Sequence, residues 1–282
     1  MKKIVVMILG ILILSGCKSE KIEERKEINT VTEPMIKIEE IADADFSDVD
    51  NTPSGWGLKK NKGEKPDISQ EAAQMFRKYN TFYMDENGGK VLYLTFDEGY
   101  ENGYTAQILD VLKECEVPAA FFVTGPYIKN ETALIERMIS EGHIVGNHTV
   151  NHPNLPGLVS AEKMAQELCA LNERFLTQYG VPLKYMRPPE GVFSERLLKV
   201  ADTLGYKTIF WSFAYKDWDP KTQKGEAYAF REITPYIHDG AILLLHAVSK
   251  DNADSLKSVI TYAKQQGYEF KSLDELEMKA EL

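Results

Sequence analysis

From about residue 90 onward, short apolar runs alternate with amphipathic stretches, and this alternation limits the possible folds more than any other feature. Parallel strands need long crossover connections, so strands alternating with helices indicate a parallel sheet covered by helices. We therefore predict an α/β fold with about seven parallel strands. A closed or nearly closed barrel fits this pattern better than an open sheet, but the spacing alone does not decide between the two. The predicted strands are Val91–Phe96, Ala119–Thr124, His143–Asn147, Lys184–Arg187, Thr208–Phe213, Ala241–Leu245 and Tyr268–Ser272.

Helices are predicted between these strands, with recognisable start and stop signals. Ser160 and Ser194 are suited to cap helix N-termini, and four glycines stand where helices should end, namely Gly142, Gly180, Gly205 and Gly267. The predicted helices are Tyr104–Cys115, Glu131–Glu141, Ala161–Tyr179, Ser194–Leu204, Glu226–His238 and Asn252–Gln266. The sequence has neither a GxGxxG fingerprint nor a P-loop, so nothing in it indicates nucleotide binding.

The first seventeen residues have the pattern of a secretory signal. Lys2 and Lys3 precede an apolar run from Ile4 to Leu14, which is too short to span a bilayer permanently. The run ends in Leu14-Ser15-Gly16-Cys17, which resembles a bacterial lipobox. We expect residues 1–16 to be a cleaved lipoprotein signal peptide and Cys17 to be acylated, anchoring the protein outside the cell membrane. An ordinary signal peptide with an incidental cysteine is the alternative.

The charge of the chain is unevenly distributed. The 282 residues carry 33 Lys and Arg against 43 Asp and Glu, a formal net charge of −10. Residues 18–50 contain eleven of the acidic and five of the basic residues, which predicts that residues 17–52 are an acidic, flexible tether. Residues 53–282 are then the catalytic domain, with the aromatic residues of 53–90 packed on the outside of the barrel. The acidic balance argues against a nucleic-acid partner.

Two further cysteines, Cys115 and Cys169, lie at helical spacing with apolar residues. We interpret them as buried free thiols, although a disulfide between them is an alternative in an oxidising compartment.

Charged and imidazole side chains cluster at the carboxyl ends of the predicted strands. In a parallel barrel these ends share one face, and that face carries the active site. A purely structural role would place such residues at both ends of the strands, so the clustering indicates one functional cleft. Its members are Asp97, Glu98, His148, Arg187, Asp217, Trp218 and His246.

Two of these strand-end features indicate metal-assisted hydrolysis. His148 and His152 are four residues apart and would share a face on one helical turn, where both could bind one metal ion. Asp97 or Glu98 could supply an oxygen ligand, leaving the other carboxylate as a base. An opposed imidazole would protonate the leaving amine. Taken singly, Asp97 could instead be a loop carboxylate and His246 a buried, hydrogen-bonded strand-end histidine.

Five motifs occur in a recognisable order and spacing. They are Thr95-Phe96-Asp97-Glu98-Gly99, His148-Thr149-Val150-Asn151-His152, Arg187-Pro188-Pro189-Glu190-Gly191, Asp217-Trp218 and Leu244-Leu245-His246. They resemble the motifs of the polysaccharide deacetylases, the NodB-homology enzymes of carbohydrate esterase family four. The resemblance covers about residues 88–275 and implies a distorted (β/α) barrel. Two further segments, Gly99-Tyr100-Glu101-Asn102 and residues 245–253, are similar to one branch, the delta-lactam-biosynthetic de-N-acetylases, which act on N-acetylmuramic acid in spore-cortex peptidoglycan.

This resemblance implies a role for each matching residue. Asp97 would be the catalytic base, Arg187 its orienting partner, His246 the general acid and Asp217 the carboxylate that tunes it. His148, His152 and Glu98 would hold a divalent metal ion, zinc or else cobalt or another ion. The substrate would contact Pro188, Glu190, Trp218 and Leu244, with the backbone N–H of Glu190 as an oxyanion donor.

The sequence departs from the family at Glu98, where the family usually has a second Asp. Glu98 could still ligate the metal ion, or it could turn away and leave the two histidines and water. The resemblance implies a peptidoglycan glycan strand as the partner of a monomeric enzyme that deacetylates N-acetylmuramic acid. One alternative is an N-acetylglucosamine deacetylase acting on peptidoglycan, chitin-like or exopolysaccharide glycans. Another is a non-catalytic lipoprotein that binds the cell wall.

Overall fold

Parallel strands covered by helices make up the centre of the fold in the computed structural model, which describes residues 38–276. The predicted signal peptide and Cys17 lie outside the described residues. The strands are β1 (Ser54–Gly55), β2 (Thr81–Phe82), β3 (Val91–Glu98), β4 (Ala119–Val123), β5 (Ile144–Asn147), β6 (Tyr185–Met186), β7 (Val192–Phe193), β8 (Lys207–Ile209), β9 (Ala241–His246) and β10 (Glu269–Phe270).

Nine α-helices lie within the same described residues. They are α1 (Glu39–Asp43), α2 (Gln70–Lys78), α3 (Thr105–Cys115), α4 (Gly125–Asn130), α5 (Thr132–Ser140), α6 (Ala161–Tyr179), α7 (Glu195–Thr203), α8 (Glu226–Ile233) and α9 (Lys250–Gln265). Between residues 38 and 276, no helix is both long and apolar enough to cross a membrane.

The main sheet is parallel and curls into a distorted barrel, as the sequence predicts. Its hydrogen-bonded order is β10-β3-β4-β5-β6-β8-β2, and β9 pairs with β3 as well. Beyond β8, Phe213 forms a parallel bridge to Leu243 of β9, which closes the curled sheet. All seven predicted strands are present within a residue or two, except that the strand at Thr208–Phe213 is regular only to Ile209. β2 is an eighth member that the prediction lacks.

Alternate residues of the barrel strands face two different apolar layers. In β3, Leu94 and Phe96 belong to the large core between the sheet and the helices. Tyr93 belongs to a smaller cluster with Phe122 of β4 and Ile242 of β9, which fills the barrel interior. Side chains of a strand point alternately to its two faces, so odd-numbered residues of β3 point inward and even-numbered residues point toward the helices.

The helix boundaries follow the predicted signals closely. The side chain of Ser160 accepts a hydrogen bond from the backbone of Lys163 at the start of α6, and Gly180 ends that helix with a φ of 75°. Ser194 caps α7 in the same way. The prediction is wrong for Glu226–His238, because α8 ends at Ile233. Pro235 follows within a short 3-10 turn, and a proline has no N–H with which to continue the hydrogen bonding of an α-helix.

The predicted tether extends too far along the chain. Ile41 in α1 is only 1% exposed and packs into the large core. Asn51 donates to the carbonyl of Pro156 at 3.0 Å, and Arg196 donates to the carbonyl of Val49 at 2.9 Å. Residues 38–52 therefore pack on the barrel, and the boundary predicted at residue 52 is wrong.

The segment after residue 52 lies at the carboxyl end of the barrel, not only on its outside as predicted. β1 pairs antiparallel with β7, and the indole N–H of Trp56 donates to the carbonyl of Trp211 at 2.9 Å. The Trp56 ring packs on Phe76 of α2 and on Phe210, with centroids 5.0 and 5.2 Å away. This packing fixes the residues that follow Trp56 beside the strand ends. Elsewhere, Cys115 and Cys169 are free thiols, as expected, but they are half-buried.

Candidate active site

A cavity of about 1060 Å³ opens at the carboxyl ends of the barrel strands. It brings together seven residues that the sequence singles out from five motifs, listed here in chain order: Asp97, His148, His152, Glu190, Trp218, Leu244 and His246. Trp56 and Lys60 from the N-terminal segment complete one wall. The predicted convergence of strand-end residues on one cleft is therefore observed.

Asp97 is positioned by a buried arginine. Its parity in β3 directs the carboxylate into the barrel, where Oδ1 accepts a hydrogen bond from the guanidinium of Arg187 at 2.8 Å. Arg187 itself is fully buried and also donates to the side chain of Thr95 and the carbonyl of Ile209, each at 2.9 Å. The second oxygen of Asp97, Oδ2, lies 3.6 Å from Nε2 of His148.

These contacts keep Asp97 ionised. Burial alone would raise the pKa of Asp97, but the Arg187 guanidinium and the neighbouring His148 and His246 imidazoles outweigh it and hold the pKa below its ordinary value. Because Oδ1 is held by Arg187, Oδ2 is the oxygen that can accept a proton from a nucleophile in the cavity. The arrangement suits a general base.

The surroundings of His246 shift its pKa in the direction opposite to that of Asp97. It ends β9 beside Asp97, its register neighbour on β3. Its Nδ1 is 2.7 Å from Oδ1 of Asp217, and its backbone N–H donates to Oδ2 of the same carboxylate at 2.9 Å. Asn252 donates to that Oδ2 at 2.6 Å and to the carbonyl of His246 at 3.0 Å.

The buried Asp217 carboxylate sets the charge of this imidazole. Burial disfavours the charged form of His246, but the charge and hydrogen bond of Asp217 prevail and raise the pKa of His246 above its ordinary value. With Nδ1 bound to Asp217, the Nε2–H is the proton available to a substrate. The cavity thus holds a carboxylate whose pKa is lowered and an imidazole whose pKa is raised, which suits a general base opposed to a general acid.

The two histidines of the second motif lie on a loop, not on the predicted helical turn. The Asn147 side chain accepts from the backbone N–H of Thr149, and the Thr149 hydroxyl accepts from that of His152, both at 2.9 Å. Thr149 and His152 adopt left-handed backbone conformations, with φ of 68° and 54°. The loop still brings the rings of His148 and His152 to a centroid distance of 4.9 Å.

Within residues 38–276, no group of three or more His, Cys, Asp and Glu side chains is arranged to hold a metal ion. The predicted ligand Glu98 is the missing member, because its even-numbered position in β3 points it toward the helices. It is fully buried, it does not line the cavity, and its Oε1 accepts from the Thr105 hydroxyl at 3.4 Å. Burial, with the neighbouring Glu101 charge, raises the pKa of Glu98 well above its ordinary value. The prediction that Glu98 ligates a metal ion is therefore corrected.

The two imidazoles by themselves fit a divalent metal ion. Nδ1 of His148 lies 2.9 Å from the carbonyl of Arg187, which fixes it as the protonated nitrogen and leaves Nε2 with a lone pair. Burial lowers the pKa of His148 to about 4, so the ring is neutral at physiological pH. Neutral imidazole is a preferred ligand of zinc and related ions. His148 and His152 are thus the side chains that would hold such an ion.

The predicted substrate residues are distributed differently. Trp218, Leu244 and Glu190 line the cavity, Trp218 with 52% of its surface exposed. Glu190 has a φ of 57°, so the chain turns sharply there. Pro188 is buried and does not line the cavity, so its predicted substrate contact is not made.

Sequence reasoning missed residues that hold the acid and the base in place. Asn252 bridges Asp217 and the His246 carbonyl, and Thr95 accepts from Arg187. Tyr100, which lines the cavity with 53% of its surface exposed, also received no role. Thr95 could have been identified from the sequence, because it lies two residues before Asp97 in β3 and therefore points to the same face of the strand. No sequence spacing links Asn252 to Asp217.

Comparisons with known proteins show the family to which the chain is similar. The family model described as polysaccharide deacetylase matches residues 84–209. The peptidoglycan-N-acetylmuramic acid deacetylase of Bacillus subtilis is 46% identical over 236 residues, which cover 83% of this chain and 89% of that protein. The solved structure of that Bacillus subtilis protein, described as a family 4 carbohydrate esterase, superposes with a TM-score of 0.78 and covers 81% of this chain and 98% of its own.

A more distant similarity concerns a different sugar. The peptidoglycan-N-acetylglucosamine deacetylase of Listeria monocytogenes is 34% identical over 187 residues, which cover 66% of this chain and 39% of that protein.

Replacing Asp217 by Asn tests how the general acid is tuned. Without the carboxylate charge, burial should lower the pKa of His246, so the charged acid form is lost at lower pH than in the wild type. We expect the basic limb of the kcat/KM profile to shift to lower pH and the activity at pH 7 to fall by about tenfold or more. Asp110→Asn, at an exposed position, is the control, and an unchanged basic limb would contradict this account.

Replacing Glu98 by Gln tests the corrected metal site. Gln has the shape of the protonated acid, so zinc affinity measured by titration calorimetry and kcat/KM should both stay within about threefold of wild type. His152→Ala should lower zinc affinity at least about tenfold, because it removes one of the two imidazoles. An equal loss of zinc affinity in the two variants would restore Glu98 as a ligand.

Proposed function

Because the chain belongs to the polysaccharide deacetylases of carbohydrate esterase family four, we propose that it hydrolyses the acetamide of N-acetylmuramic acid in peptidoglycan. The observation that carries the proposal is the opposed pair of Asp97 and His246, which face one cavity with their pKa values shifted in opposite directions. The pair also weighs against a non-catalytic cell-wall binding protein, which would need neither pKa shift.

The base acts on water. Family four deacetylases are generally metal-dependent, and a divalent ion bound by His148 and His152 would polarise the acetyl carbonyl and lower the pKa of a water molecule. Oδ2 of Asp97 takes the proton from the attacking water molecule as the water oxygen bonds to the carbonyl carbon. Arg187 keeps the carboxylate anionic until that step and holds Oδ1 fixed. The backbone N–H of Glu190 would stabilise the developing oxyanion.

The acid completes the reaction. Nε2–H of His246 gives its proton to the nitrogen of the amide as the carbon–nitrogen bond breaks. The products are acetate and a free amino sugar. Asp217 stabilises the imidazolium before transfer and fixes the ring with Nδ1 away from the substrate. Trp218, at the cavity rim with its ring centroid 5.8 Å from that of His246, offers an apolar wall for the acetyl methyl group.

The muramic acid assignment has specific support. The relative named for N-acetylmuramic acid is 46% identical over most of both chains, whereas the one named for N-acetylglucosamine is 34% identical and matches over 39% of its own length. A glucosamine deacetylase acting on peptidoglycan, chitin-like or exopolysaccharide glycans is the second candidate function, because both sugars carry the same acetamide.

Acetate release from defined glycans tests this proposal. The wild-type enzyme with zinc should release acetate from peptide-free peptidoglycan strands, with free muramic amino groups detected by mass spectrometry. Asp97→Asn and His246→Ala should each lower kcat by about a hundredfold or more, with unchanged circular dichroism. Acetate released from chito-oligosaccharides alone would favour the glucosamine alternative. Glycan binding without any acetate under several divalent ions would favour the non-catalytic one.

We further infer that the deacetylated sugar is the precursor of the muramic δ-lactam in spore cortex, since a free amine next to a lactyl carboxyl group can close such a ring. In a sporulating host that depends on this enzyme, the His246→Ala strain should lack δ-lactam in its muropeptides. Undiminished δ-lactam would remove the cortex role while leaving the acetate assay unaffected.

We also propose that the enzyme works outside the cell membrane as a monomer anchored through a lipid on Cys17. The Leu14–Cys17 pattern and a substrate located in the cell wall support this. In a bacterial host, the wild-type protein should partition into the detergent phase of Triton X-114, and Cys17→Ser should move it to the aqueous phase. Equal partitioning of the two proteins would contradict the anchor.

A further inference from the structure

The loop that carries Asp217 also presents a lysine to the cavity. Burial alternates along it: Tyr215 and Asp217 are buried, and Lys216 and Trp218 are exposed. The two buried side chains are both held by Asn252, through hydrogen bonds to the Tyr215 hydroxyl and to the Asp217 carboxylate. Lys216 and Trp218 both line the cavity. The anchoring of its neighbours therefore fixes the backbone of Lys216 beside the reacting groups.

Among the residues that the structure describes, Lys216 has no counter-charge, unlike the other lysine of the cavity wall. Lys60 lies 3.8 Å from the Glu232 carboxylate and over the Tyr236 ring, 4.8 Å from its centroid. Across residues 38–276, no carboxylate lies within ion-pair distance of Lys216 and no aromatic ring lies under its ammonium group. The chain has a net charge of −10, so carboxylates that could pair with Lys216 are abundant, yet none of the described ones does so. The ammonium group of Lys216 is therefore available to bind an anionic ligand.

The other charged groups of the cavity are not available to bind an anionic ligand. Asp97 is neutralised by Arg187, and the His246 imidazole is paired with Asp217. Glu190 is a further exposed anion of the lining, so the cavity as a whole is not strongly basic. A substrate carboxylate would therefore be directed to Lys216 by a local contact and not by the overall field of the protein.

The proposed substrate supplies such a carboxylate. Muramic acid differs from glucosamine by a lactyl ether on the ring carbon next to the one that bears the acetamide. When the acetamide lies between Asp97 and His246, the lactyl group must lie in the same cavity. In a peptide-free strand this group ends in a free carboxylate, and in a strand with its peptide stem that carboxylate is a neutral amide.

We propose that Lys216 is the specificity-determining residue that binds the lactyl carboxylate of peptide-free muramic acid. This inference rests on the proposed deacetylase function and deepens it. The contact is the same before and during hydrolysis, so it contributes to substrate binding and acts on KM with little effect on kcat.

The experiment compares three substrates. They are peptide-free glycan with its lactyl carboxylates intact, the same glycan after conversion of the carboxylates to methylamides, and chito-oligosaccharides. The variants are Lys216→Met, which removes the charge, and Lys216→Arg, which keeps it. Lys221→Met is the matched control, an exposed lysine of the same loop that does not line the cavity.

For Lys216→Met we expect KM on the carboxylate glycan to rise about tenfold, the size of one charge-assisted hydrogen bond, with kcat within about twofold. Its KM on the methylamide glycan should equal that of wild type. Lys216→Arg should retain most of the preference for the carboxylate, and Lys221→Met should behave as wild type. Salt should reduce the difference between wild type and Lys216→Met, because screening weakens an exposed ion pair.

Two other outcomes are distinguishable. If wild type deacetylates the muramic glycans but Lys216→Met changes KM equally on carboxylate and methylamide, or on neither, the role of Lys216 is overturned and the proposed function stands. If wild type releases acetate from chito-oligosaccharides and from neither muramic glycan, the proposed function is overturned, and the role of Lys216 with it.

Discussion

The buried guanidinium of Arg187 is the contact on which the catalytic end of the barrel depends. It donates to Asp97 and Thr95 of β3 and to the carbonyls of Ile209 and Phe210 at the end of β8. Removing a charge from water costs several kcal/mol unless a partner compensates it. Arg187 therefore requires an ionised carboxylate beside it, and Asp97 provides that charge. The ionisation of the base is thus a condition of the folded barrel as well as of the reaction.

A second constraint keeps the acid and the base from neutralising each other. Asp97 and His246 are register neighbours on adjacent strands, and their charged forms attract each other. Each instead has a buried partner of its own, Arg187 for the carboxylate and Asp217 for the imidazole. Oδ2 of Asp97 and Nε2 of His246 consequently remain free to exchange protons with a substrate.

The sequence was sufficient to predict the parallel strands and the convergence of most candidate site residues on one cleft, because both follow from patterns that recur along the chain. Alternating apolar runs predict strands such as β3, and residues at strand ends must converge when the strands are parallel. Short or irregular elements lack such a pattern. β2 has only two residues, and α1 has five. Side-chain hydrogen bonds of Asn147 and Thr149 determine the conformation of the loop that carries His148 and His152. The four-residue spacing of the two histidines does not reveal these bonds.

The position of Glu98 is determined by the alternation of side chains along β3, not by the role that its motif implies. Its side chain is one methylene longer than that of the family's usual Asp, but side-chain length does not determine where its carboxylate lies. β3 remains regular to Glu98, so the strict alternation that turns Asp97 into the cavity turns the next residue toward the helices. A carboxylate buried there with little hydrogen bonding is stable only when protonated, since ionisation would leave an uncompensated charge. A metal ion at this site would then be held by the two imidazoles of His148 and His152 alone among these side chains. Metal binding would then depend more strongly on the imidazole of His152. The position of that ring is set by the loop in which Thr149 and His152 adopt left-handed backbone conformations.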